Sequence, residues 1–148
     1  MRALPAALVV GALLPNGSLA QQRSGDAVLP AALVGTTWQL AELDGRPPDP
    51  DLPPVELRIG PARIEGSAGC NWYTAWLEGH AGAVAVSHLA ATGRDCLHPR
   101  IMDLEARYLA ELERFTAYRW MGDALALMAD EKENTWLLFT RQGRPRSS

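Results

Sequence analysis

Gly66-Ser67-Ala68-Gly69-Cys70-Asn71-Trp72-Tyr73 is the densest stretch of the chain, with two glycines, a cysteine, an asparagine and two aromatic residues in eight positions. Glycine permits backbone angles and close approaches that a Cβ forbids, and asparagine can bond its own neighbouring backbone. The segment therefore reads as a bulged or sharply turned strand that presents Cys70 at a fixed place. The second cysteine, Cys96, stands in Thr92-Gly93-Arg94-Asp95-Cys96, just ahead of a helical pattern opening at Pro99. The fold turns on whether these two regions meet in space.

Outward from this stretch, period-two patterning predicts strands on both sides. Val34 to Leu43 alternates, with Thr36, Trp38 and Leu40 on one face, and Asp44-Gly45 turns the chain into a proline-rich loop, Pro47 to Pro54. Val55 to Ile59 and Ala62 to Gly66 form a hairpin through Gly60-Pro61. Asn71 to Leu77 follows, with Trp72 and Trp76 on one face and Tyr73 on the other, and Glu78 to Gly82 is a turn. Ala83 to Leu89 returns with Val84, Val86 and His88 sharing a face. Late in the chain, Thr116 to Met121, Ala124 to Met128 and Thr135 to Thr140 are strands, the first two joined by Gly122-Asp123 and the last preceded by a charged loop at 130–134.

A single helix is predicted at about 99–114. Proline fits its first position, and Ile101, Leu104, Tyr108, Leu112 and Phe115 form an apolar stripe at spacings of three and four. Asp103–Arg107 and Arg107–Glu111 are i,i+4 pairs worth only about 0.3–0.5 kcal/mol each. Glu105 falls within the apolar arc, where a carboxylate is costly unless bonded. Its expected role is to accept backbone N–H groups or an arginine from the Cys70 or Cys96 loop, locking helix to sheet. The fold class is thus mainly β with one α-helix, a curled antiparallel sheet or β-barrel-like roll.

Gly69-Cys70-Asn71, Thr92 four residues before Cys96, and Glu105 within Met102-Asp103-Leu104-Glu105 resemble the motifs of the META domain, the HslJ-like heat-shock family. The resemblance runs from about Leu33 to Arg141. It implies a small, mostly β domain with one helix after the second cysteine, found in cell-envelope proteins linked to stress or antibiotic tolerance, without established catalytic activity. Gly69, Asn71, Thr92 and Glu105 are then the structural motif. Where the family commonly carries an apolar residue before the second cysteine, this chain has Arg94-Asp95, which implies a more polar, exposed loop.

Met1-Arg2, the apolar run Ala3 to Leu14 and Ser18-Leu19-Ala20 read as an export signal with cleavage after about Ala20. The run is shorter than the ~20 residues that span a bilayer, and no cysteine lies near the cut for lipid attachment. The expected organisation is a signal peptide at 1–20, a flexible mature terminus at 21–32, the domain at 33–141 and a flexible tail at 142–148. The expected location is the periplasm or the exterior, with no stable membrane span and a monomeric state. The full chain of 148 residues has 14 basic and 17 acidic side chains, a net charge of −3. Without residues 1–20 the basic count falls to 13 and the net charge to −4, which gives no electrostatic footprint for nucleic acid or anionic lipid.

Two cysteines in an exported chain favour a disulfide over free thiols. Bridging Cys70 and Cys96 stabilises by about 3 kcal/mol on the chain-entropy account. The metal alternative, both cysteines with some of His80, His88 and His98, lacks any CxxC or HxxxH spacing, so no metal or other cofactor is expected. Ser67 with His88 or His98 and Asp95 supplies the residue types of a catalytic triad, but Gly66-Ser67-Ala68-Gly69 is neither a nucleophile elbow nor a phosphate loop. No catalytic residue is expected. Most of the five tryptophans are expected in the core, and any of Trp72, Tyr73 or Trp76 left exposed marks the best partner face. The function expected is a non-catalytic envelope protein that binds or scaffolds, its partner an envelope protein or a small ligand. The alternative is a small-ligand carrier or inhibitor barrel, favoured by a lined internal cavity.

Overall fold

Alternating burial along short segments builds eight strands, and in the computed structural model, which describes residues 28–80, 83–129 and 136–143, all eight join one antiparallel sheet. They are β1 (Thr37–Leu43), β2 (Glu56–Ile59), β3 (Arg63–Ser67), β4 (Trp72–His80), β5 (Ala83–Ala91), β6 (Ala117–Met121), β7 (Ala124–Met128) and β8 (Trp136–Arg141), with one helix, α1 (Pro99–Arg114), between β5 and β6. The expected export signal, residues 21–27 of the mature terminus, the turn at 81–82, the charged loop at 130–134 with Thr135, and the tail beyond 143 lie outside the described residues.

The spatial order is β5-β4-β3-β2-β1-β8-β7-β6. Consecutive hairpins build each half, and β1 pairs with β8 to join them. Strand twist curls the sheet, so its two edges approach, and the Val84 N–H donates to the Thr116 carbonyl at 3.1 Å. The result is a half-barrel whose opening α1 covers, packed against β5 and β8. No described helix is long and apolar enough to cross a membrane.

Pro99 and the His98 cap start α1, the His98 Nδ1 accepting from the Arg100 N–H at 3.3 Å. Leu104, Tyr108, Leu112 and the following Phe115 are buried against Trp38, Leu57, Ile64, Leu125, Leu137 and Phe139. Each large apolar side chain removed from water contributes about 1.5–3 kcal/mol. Leu29 and Leu33 join this core, so packing begins inside the segment the sequence assigned to a flexible terminus, and Ala31–Leu33 forms one 3-10 turn.

Several local expectations are corrected. The pairing of β1 with β8 shifts between Leu40 and Glu42, and this bulge puts Leu43 rather than Glu42 inside with Trp38 and Leu40. A second bulge falls in β5, where Thr74 faces Ala90 but Trp76 faces Ser87. The extra residue includes His88 at φ 52°, which places Leu89 on the core side with Val84 and Val86 and leaves His88 exposed. Residues 78–80, expected in a turn, extend β4. The ion pairs made by α1 are Arg100–Asp49, Arg107–Asp44 at 3.7 Å and Arg114–Glu111 at 3.4 Å instead of the two expected i,i+4 pairs.

Candidate functional site

Cys70 and Cys96 are bonded, with Cα atoms 6.0 Å apart. This ties the bend before β4 to the entrance of α1, and beside the bond Asn71 uses its whole polar inventory. Its backbone N–H and its side-chain amide donate to the two oxygens of Glu105, each at 2.7 Å. The same amide donates to the Arg94 carbonyl at 2.9 Å, while Asn71 Oδ1 accepts from the Thr92 hydroxyl at 2.8 Å and the Arg94 N–H at 2.7 Å. Glu105 and Asn71 are both buried, so every one of these bonds replaces lost water. Among the described residues no arginine reaches Glu105; one asparagine supplies both donors. Gly69 stands at φ 104° to set the bend.

Behind this joint, Tyr73 and Tyr108 meet at 2.6 Å between hydroxyls, and the Tyr73 O–H lies 3.0 Å from the Glu56 carbonyl. Burial pushes both phenols well above the ordinary tyrosine value, so both stay protonated. Gly66 faces Tyr73 across the sheet. A Cβ on Gly66 would fall 1.9 Å from the Glu56 carbonyl, so only glycine lets β2 come this close.

Tyr73 is therefore interior, which removes it from the expected interaction face. Its neighbours are not: Trp72 is 57 % exposed and Trp76 52 %. The expectation that most tryptophans fill the core is also corrected, since only Trp38 is buried and Trp120 and Trp136 are each 37 % exposed. Tyr73, Tyr108, Phe115 and Phe139 supply the interior bulk instead. Strand alternation decides this: Tyr73, Ala75 and Leu77 point inward, so Trp72, Thr74 and Trp76 point out.

On that outer face lies a cleft of about 780 Å³, lined by Thr37, Glu56, Arg58, Glu65, Trp72 and Thr74 among others. Register explains the grouping, because Thr37 faces Arg58, Arg58 faces Glu65, Glu65 faces Thr74 and Thr74 faces Ala90, in one row across β1 to β5. Glu65 is paired with Arg63 at 3.3 Å. Among the described residues, the Arg58 guanidinium and the Glu56 carboxylate make no hydrogen bond or ion pair. The sequence alone does not single out this row; period two puts Glu56 and Arg58 on the polar side of β2, but nothing in one strand tells which residues face it.

The serine and histidines of the triad types are each engaged locally. Ser67 accepts from the Gly69 N–H at 3.3 Å, His88 lies 3.2 Å from the Ser87 hydroxyl, and His98 caps α1. With both sulfurs in the bridge, neither is available as a thiolate ligand. Arg94 and Asp95 are exposed, as their polarity implied.

The META domain profile matches residues 31–143. The chain belongs to the META domain family. Two solved structures share the fold: an NMR structure at 23 % identity and TM-score 0.60, covering 76 % of this chain and 94 % of that one, and an NMR structure of a protein from Burkholderia xenovorans at 24 % identity and TM-score 0.59, covering 95 % of this chain and 100 % of that one. No curated protein sequence matches the chain. This META domain therefore folds as a half-barrel, with a disulfide at its joint.

Proposed function

We propose that this META domain protein is an exported, non-catalytic binding module of the cell envelope, serving stress or antibiotic tolerance by holding a partner against the outer face of β4. The observation that carries this reading is that Trp72 and Trp76, both more than half exposed, stand on a strand whose other side buries Tyr73, Ala75 and Leu77 in the core. Rigid aromatic side chains give large contact area at small entropic cost, and they dominate interface energies. A disulfide suits an oxidising compartment outside the cytoplasm. The interior is packed with Trp38, Tyr73, Tyr108 and Phe139, which favours an external partner over a ligand enclosed by the barrel. The test is retention on washed cell envelopes of the native chain against the Trp72→Ala, Trp76→Ala double variant. Specific retention by the native chain, lost in the variant, supports the reading; equal retention, or none by either, removes it.

A further inference from the structure

We infer that the cleft on the outer face is a binding site for a neutral oligosaccharide, an assignment that rests on the binding role proposed above and names its ligand class. The cleft volume of about 780 Å³ lies within the ~300–1,000 Å³ typical of small-ligand sites. Its lining is amphipathic in one particular way. Trp72 offers an exposed indole, and the row beside it runs hydroxyl, guanidinium, carboxylate, hydroxyl through Thr37, Arg58, Glu65 and Thr74. A pyranose ring has the matching chemistry: an apolar C–H face, whose slightly positive hydrogens suit the negative face of an indole, and a rim of hydroxyls that both donate and accept. A carboxylate such as Glu56 takes hydrogen bonds from such hydroxyls, and a guanidinium such as Arg58 donates to them.

Charge selects the ligand further. Glu65 is paired with Arg63, which leaves, among the described residues lining the cleft, Arg58 as the unengaged cation and Glu56 as the unengaged anion. A polyanion would meet Glu56, and a proline-rich peptide lacks the N–H donors that Glu56 needs, whereas an uncharged sugar engages both. Trp76 continues the same face four residues from Trp72, about 13 Å along the strand, so the platform suits a chain of sugars over a single ring.

The test titrates the full protein with cellohexaose, hexa-N-acetylchitohexaose and mannohexaose, and with hexagalacturonate as the anionic counterpart, by calorimetry and by amide and indole chemical shifts. The expected result is binding of at least one neutral hexasaccharide in preference to hexagalacturonate, with shifts at Trp72, Thr74 and Ala90. Trp72→Ala should weaken that binding at least about tenfold and Arg58→Ala or Glu56→Gln several-fold, while Trp136→Ala leaves it unchanged. No response to any neutral hexasaccharide at millimolar concentration, or affinity untouched by Trp72→Ala, overturns the assignment. If envelope retention still depends on Trp72 and Trp76 in that event, a protein partner takes the place of the sugar and the binding role stands. If native and double-variant chains are also retained equally, or neither is retained, both readings fall together.

Discussion

The two sides of β4 carry similar aromatic residues to opposite ends. Inward, Tyr73 is buried because its hydroxyl finds Tyr108 and the Glu56 carbonyl, and because Gly66 opposite it leaves room for the ring. Outward, one residue earlier and three later, Trp72 and Trp76 stand in solvent. The difference teaches that aromaticity does not place a side chain inside; a buried ring with a polar tip needs a partner for that tip. It also divides the strand's duties, since one side holds the fold and the other is available to recognise something.

That division can be broken most severely at the joint. Glu105→Ala removes the acceptor for two donors of buried Asn71, and the expected loss is about 3–4 kcal/mol in urea denaturation; a loss below about 1 kcal/mol would show that the joint does not depend on this carboxylate. Replacing both cysteines by serine should cost about 3 kcal/mol. In the native protein, thiol labelling under denaturing, non-reducing conditions should find nothing until reductant is added. Tyr73→Phe should cost about 1–2 kcal/mol by stranding the Tyr108 hydroxyl and the Glu56 carbonyl.

The same pair fixes a pH dependence. Because burial raises both phenols above their ordinary value of 10.0, stability is complete below about pH 10, where unfolded tyrosines also stay protonated. It falls as pH rises further, by up to about 1.4 kcal/mol per pH unit for each phenol. Denaturation at about pH 8 and about pH 11 should show this decline, and Tyr73→Phe should make it shallower. The smallest effect belongs to the outer side: Trp72→Ala and Trp76→Ala should each change stability by no more than about 0.5 kcal/mol. A larger loss would mean that the outer tryptophans are part of the fold after all.

Local pattern made much of this architecture legible. Pro99 and the stripe from Leu104 to Phe115 delimit a helix observed at Pro99–Arg114, and the position of Glu105 in that stripe marked it as a carboxylate in need of partners. Which side of β4 faces the core was not legible, because Trp-x-Thr-x-Trp and Tyr-x-Ala-x-Leu are both plausible inner faces by hydropathy. The bulges at Ala41 and His88 were hidden for another reason: an inserted residue changes the phase only relative to the neighbouring strand, which a single strand does not display. The cleft was invisible in the same sense. It is assembled from five strands by register, and Thr37 and Ala90, its two ends, are far apart along the chain.

The seam between β1 and β8 sets a schedule for assembly. A nascent polypeptide can lay down the first five strands early, yet Thr37–Leu43 keeps one ladder of donors and acceptors bare until Trp136–Arg141 arrives to slot between it and β7. The last of the eight strands in chain order is thus the one that unites the two halves, and the sheet cannot be completed from a chain still missing it. Such late, long-range zippering slows maturation, and it leaves an incomplete product with a sticky border for other chains to join.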